Sequence, residues 1–187
     1  MNKVITVISL FVMCLSSSSC FYYKSMPKDW AGQISSAENV AMFNGSYKLS
    51  DDNKSLSDDE KYNDLRYFQN TVIYGRELVY IPGLTSVNIC TTNDEIHVGL
   101  FSGRSLVHET HFEKGSFNFK NGVLKLDLDD QLVGGGMCMV YFAPSITMYK
   151  TTNDEVIVRQ KETAIGLAIV VPAITGENYW FKLKRIE

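Results

Sequence analysis

The sequence predicts an all-β domain: an antiparallel meander of about eight to ten strands, folded as a barrel or a barrel-like sandwich. Three observations carry this. From Phe43 onward, apolar and polar residues alternate, the period of a strand with one buried face. The alternating runs are short. They are separated by Asn, Asp, Gly and Ser in turn-forming combinations rather than by helix caps.

Phe43, Gly45, Tyr47 and Leu49 share one face of the first predicted strand. Ser50 to Asp64 is polar and mostly acidic, and reads as a solvated loop. Strands follow at Val87–Ile89, Ile96–Leu100, Leu106–Phe112, Phe117–Phe119 and Val123–Leu128. Lys120-Asn121-Gly122 precedes the last of these, and Asn-Gly is a strong two-residue hairpin signal because both positions need positive φ. Ser102-Gly103-Arg104 supplies another turn. Further strands are expected at Met137–Phe142, Ile146–Lys150, Val156–Gln160, Thr163–Val171 and Tyr179–Ile186. Thr-Thr-Asn-Asp-Glu occurs at both Thr91–Glu95 and Thr151–Glu155, and two hairpin turns with the same chemistry explain it better than a duplication.

The N-terminal part is different. Lys3 is followed by an uncharged apolar run from Val4 to Leu15, then by Ser16–Ser19 and Cys20. This is the layout of a secretory signal, and the run is shorter than the roughly 20 residues a membrane-spanning helix needs. Cysteine directly after the small residues resembles a bacterial lipoprotein signal. That resemblance implies cleavage before Cys20, lipid on Cys20 and, with Phe21 next, the outer membrane. Ordinary signal cleavage, with Ser17 and Ser19 as its small residues, is the alternative. Cysteine parity separates the two. Of the four cysteines, Cys14 leaves with the signal, and lipidation of Cys20 leaves Cys90 and Cys138 as a pair in an oxidising compartment. A disulfide between Cys90 and Cys138 is therefore expected. Residues 1–19 are read as signal peptide, 20–42 as a lipid-attached tether with a short helix at Ser35–Met42, and 43–187 as one β domain.

Composition excludes some classes. The net charge is −3, without a basic patch, so no nucleic acid partner is expected. His108 and His111 are three residues apart on a strand, so they point to opposite faces and do not share a metal. Asp51-Asp52-Asn53-Lys54-Ser55 lacks the later Gly and Glu of a calcium loop. Gly134-Gly135-Gly136 is followed by no Lys-Ser/Thr and reads as a turn or bulge. No catalytic constellation, no metal site and no cofactor is expected.

Phe43-Asn44-Gly45-Ser46-Tyr47 and Tyr179–Arg185 together resemble the first and last strands of lipocalin-like (calycin) barrels. Tyr47 stands at the tryptophan position of that family's Gly-x-Trp. The resemblance implies that Arg185 covers the Tyr47 ring. Two functions follow as expectations for a protein held on the membrane by its N-terminal lipid. One is binding of a small apolar ligand inside a barrel of about eight strands, lined by Tyr141, Phe142 and Phe181. The other is a filled core, with the surface binding or inhibiting an envelope protein.

Overall fold

The computed structural model describes residues 19–49, 83–92, 94–128, 130–135, 138–168 and 171–186, with residues 19–22, 49, 131, 133–135, 138, 167–168 and 171–173 described by their backbone. The strands are β1 (Ser19–Tyr23), β2 (Gly45–Leu49), β3 (Ser86–Thr91), β4 (Glu95–Ser102), β5 (Ser105–Glu113), β6 (Phe117–Lys120), β7 (Val123–Asp127), β8 (Gln131–Gly135), β9 (Cys138–Phe142), β10 (Ser145–Lys150), β11 (Val156–Ala168) and β12 (Val171–Arg185). One helical turn, α1 (Lys28–Ala31), and a 3-10 turn at Val40–Phe43 precede β2.

The main path of the sheet runs β5-β4-β3-β2-β12-β11-β10-β7-β6, and all its pairings are antiparallel. Its two edges, β5 and β6, are consecutive in the chain and joined only by Lys114-Gly115-Ser116. Nine strands laid flat would separate those edges by about 38 Å, at roughly 4.8 Å per strand. A three-residue connection reaches about 14 Å at most. The sheet must therefore curl back on itself. It does so without β5 and β6 pairing, which makes it barrel-like and open at one seam.

The curled sheet encloses one apolar core. Tyr47, Val87, Ile89, Ile96, Val98, Leu100, Phe112, Leu124, Leu126, Ile146, Met148, Val156, Val158 and Leu183 are all at most 3% exposed. These are the alternating residues read from the sequence, so the period-two pattern assigned the inward faces correctly. Phe43 closes the core at one end, edge-on to Phe119 with ring centroids 6.4 Å apart. The Asn121-Gly122 turn takes φ 54° and 77°. A Cβ on Gly122 would stand 2.8 Å from the Ala37 nitrogen, so glycine also lets the N-terminal segment pack there.

The structure departs from the expected elements in four places. The segment expected to be a tether is built into the domain. Its residues Tyr23–Ser35 run over the outer face of β12, where Lys24 N–H donates to Asn178 Oδ1 (2.5 Å) and Lys24 C=O accepts from Trp180 Nε1 (2.8 Å). Trp30 is buried, with Lys182 Nζ 5.0 Å from its ring centroid. Second, helix is confined to the 3-10 turn within Ser35–Met42 and Phe43, because Ser35 N–H is taken by Lys150 C=O (2.9 Å) instead of opening a capping box. Third, Val156–Gln160 and Thr163–Val171 are not two strands. The first and most of the second form β11, and the chain reverses before Val171. Fourth, Gly134 and Gly135 belong to β8 and pair with Met139 and Cys138. The acidic loop expected at Ser50–Asp64 lies outside the described residues.

Candidate functional site

β11 and β12, of 13 and 15 residues, are far longer than the strands around them. Their first and last portions respectively belong to the barrel-like sheet, where β10 and β2 flank them. Beyond it the hairpin continues as an arm, flanked by β9 at Ala164–Ala168 and by β1 at Ile174–Asn178. Counting β8, which pairs with β9, the arm is a sheet in the order β8-β9-β11-β12-β1. β1 is parallel to β12, the other pairs antiparallel.

The far end of this arm is uncharged. No charged residue occurs from Thr163 to Gly176, between Glu162 and Glu177, or from Gln131 to Tyr149, between Asp130 and Lys150. The register puts the two hairpin ends at one level: Gly135 opposite Cys138, Cys138 opposite Ala168, and Ala168 opposite Val171. Directly paired residues share a sheet face, so Leu132, Tyr141, Ile165 and Ile174 form one row across four strands. They are 66, 39, 48 and 39% exposed, and Met139 beside them is 56% exposed. Single exposed apolar residues are ordinary, but a contiguous row marks a contact surface. β1 reaches the same end, with Ser19 opposite Ile174 and Cys20 opposite Thr175.

The expected site residues are not brought together. Tyr141 is on the outer face of the arm and donates its hydroxyl to Asp130, a bond that, with Asp130's charge, raises the phenol's pKa. Phe142 follows it on β9, half-buried. Phe181 lies in the core of the barrel-like sheet, across from Val158. By register Tyr141 is on the face opposite to Phe142 and Phe181, and these two stand six positions apart along β11. A cleft of about 530 Å³ opens beside Asp127, Asp130, Pro144 and Lys161, on the surface and with polar walls.

The expected disulfide is a correction. Cys90 is an exposed free thiol on β3. Through Ile89–Gly45 and Tyr47–Arg185 it lies at the level just past the end of β12, whereas Cys138 lies level with the strand's first residue, Val171. β12 alone spans about 46 Å at roughly 3.3 Å per residue, and a disulfide needs Cα atoms within about 7 Å.

The expected Arg185–Tyr47 contact is also changed. The two residues pair across β12 and β2, but the Arg185 guanidinium donates to Asp154 Oδ2 (2.6 Å). The cation over the Tyr47 ring is Lys150, 5.5 Å from its centroid. Burial pushes the Tyr47 phenol up to about 12.

Compared with known protein families, with curated proteins and with solved structures, the chain matches none. Its function has to be argued from its own residues.

Proposed function

We propose that this is a lipid-anchored protein of the bacterial cell envelope, held by acyl chains on Cys20 and acting through its surface, with no catalytic role. The observation that carries the reading is a coincidence of position. Cys20, marked for lipid by the sequence before it, pairs with Thr175 at the same end of the arm as both uncharged hairpin ends and the exposed apolar row. The anchor and the most apolar surface would thus meet the bilayer together.

Magnitudes favour contact over spanning. Fourteen uncharged residues folded as a hairpin give about seven per strand, roughly 23 Å at 3.3 Å each, against about 30 Å of hydrocarbon. β1 and β8 are the edges of the arm sheet, and unpaired backbone groups are not tolerated in hydrocarbon. The arm therefore rests in the interface, with Tyr141 and Tyr23 at the depth aromatic residues favour. Lys161 Nζ, 5.6 Å from the Tyr23 ring centroid, supplies a cation on the same face for lipid phosphates.

The contiguous exposed apolar row on the arm supports the surface-binding reading over an internal apolar ligand. An envelope protein is then the partner class for the faces the arm leaves free.

Fractionation tests this. Wild-type chain is expected in the outer-membrane fraction, with an acylated Cys20 at its N-terminus by mass spectrometry. Cys20→Ser is expected to remain unprocessed or to appear soluble. Wild-type protein cleaved elsewhere, without acyl mass, sinks the proposal. For the arm, lipid-free protein starting at residue 21 is expected to float with anionic vesicles, and Leu132→Glu with Ile165→Glu to abolish this.

A further inference from the structure

We infer that Glu95, His97, Glu109 and His111, on the outward face of the β4–β5 hairpin, bind a divalent transition metal ion of the zinc type. The inference is independent of the lipid anchor and of the arm. Ile96, Val98, Leu100 and Phe112 turn inward, so the alternate residues Glu95, His97, Glu109 and His111 share the outer face. The register sets His97 directly opposite His111, and their ring centroids are 4.3 Å apart, edge to face.

The distances suit metal ligands. Glu95, His97 and His111 each offer one ligand atom, all within 4.8 Å of one another. His97 Nε2 is 3.1 Å from Glu95 Oε2. Around a tetrahedral zinc, with bonds near 2.0–2.2 Å, neighbouring ligand atoms stand about 3.3–3.5 Å apart. The His97–Glu95 pair is thus within a few tenths of an ångström of that spacing, and rotation of the half-exposed His111 side chain can bring in the third ligand atom. Glu109 reaches both rings, 3.6 Å from His97 Nδ1 and 3.3 Å from His111 Nε2. That is the place of a carboxylate that orients ligating histidines through their other ring nitrogens.

The donor chemistry narrows the ion. Two imidazole nitrogens with carboxylate oxygens suit zinc, copper(II) or nickel. Calcium and magnesium prefer six or more oxygens. Charge points the same way. A dication would compensate the Glu95 and Glu109 carboxylates that face this pair of rings. Metal binding here also needs no folding of the site, since the β4–β5 pairing holds both histidines in place.

The test is a zinc titration of the purified chain without a histidine tag, in a Cys90→Ser, Cys138→Ser background so that thiolates do not compete. Saturable 1:1 binding is expected by calorimetry. His97→Gln and His111→Gln should each weaken it at least tenfold, and Glu109→Gln should weaken it measurably. His108→Gln should leave it unchanged, because His108 is on the other face of β5. All four positions are on the sheet surface or its margin, and circular dichroism verifies that each variant is folded. X-ray absorption of the zinc complex should show nitrogen and oxygen neighbours with imidazole scattering. Absence of saturable binding at micromolar zinc, or undiminished affinity in the His97→Gln, His111→Gln double variant, overturns the assignment.

Discussion

Lys150 is buried to 2% exposure, yet its ammonium lies 3.4 Å from the Tyr47 hydroxyl and pairs with the Asp154 carboxylate. It also donates to the Asp154 carbonyl (3.1 Å), while Tyr47 Oη donates to Phe43 C=O (2.8 Å). Asp154 further accepts from Arg185 (2.6 Å). One exposed carboxylate at a hairpin turn therefore neutralises a cation set into the end of the core.

Asp154→Asn is expected to destabilise the domain by about 1–3 kcal/mol, the cost of leaving a buried charge short of its partner. Asp154 has φ 61°, which Asn also tolerates, so this variant isolates the charge. Asp154→Ala should cost about 1 kcal/mol more through backbone strain. The comparison is made by urea denaturation at neutral pH.

The same carboxylate has a pH signature. Partial desolvation pushes its pKa up, but hydrogen bonds from Lys150 and Arg185 outweigh this and hold it below 3.8. A depressed carboxylate contributes stability that is present above its unfolded value and lost as pH falls through the folded one. Below about pH 4, wild type should lose stability more steeply than Asp154→Asn. Parallel acid limbs of the two curves would contradict this.

Glu162 behaves in the opposite way. It pairs across the arm with Glu177, and burial first, then the Glu177 charge, raise its carboxyl above 4.5 despite the bond from Gln160 Nε2 (2.7 Å). A raised carboxyl costs stability as pH climbs from its unfolded to its folded value. Glu162→Gln should therefore raise the Tm at pH 7 and have no such effect at pH 4.

Trp30→Ala is expected to cost about 3 kcal/mol, as large-to-small changes at buried aromatics do. It should also open residues 24–35 to proteolysis, because Trp30 holds that segment on β12. A tether without tertiary contacts would show neither effect.

Unfolded, unreduced Cys20→Ser protein from which the signal is absent should show two reactive thiols, Cys90 and Cys138. A value of zero would mean that the chain bonds them in a fold other than this one.

The sequence by itself determined the fold class, most strand positions and the inward faces. Period-two alternation is a local property: Val123-Leu124-Lys125-Leu126 assigns its own faces whatever the strand pairs with. Turn chemistry is equally local, which is why Asn121-Gly122 and the two Thr-Thr-Asn-Asp-Glu turns were legible. Pairing is not local. Only the tertiary structure decided that Thr163–Val171 continues a strand into an arm, since an apolar run carries no mark of where a hairpin reverses. Only the register set Cys90 and Cys138 at opposite ends of β12, which parity could not reveal. The histidines show the same division. His108 and His111 were correctly read as facing opposite ways, but spacing along one strand says nothing of its neighbour. It took the β4–β5 pairing to set His97 beside His111, because hydrogen-bonded register joins residues that the chain keeps 14 positions apart.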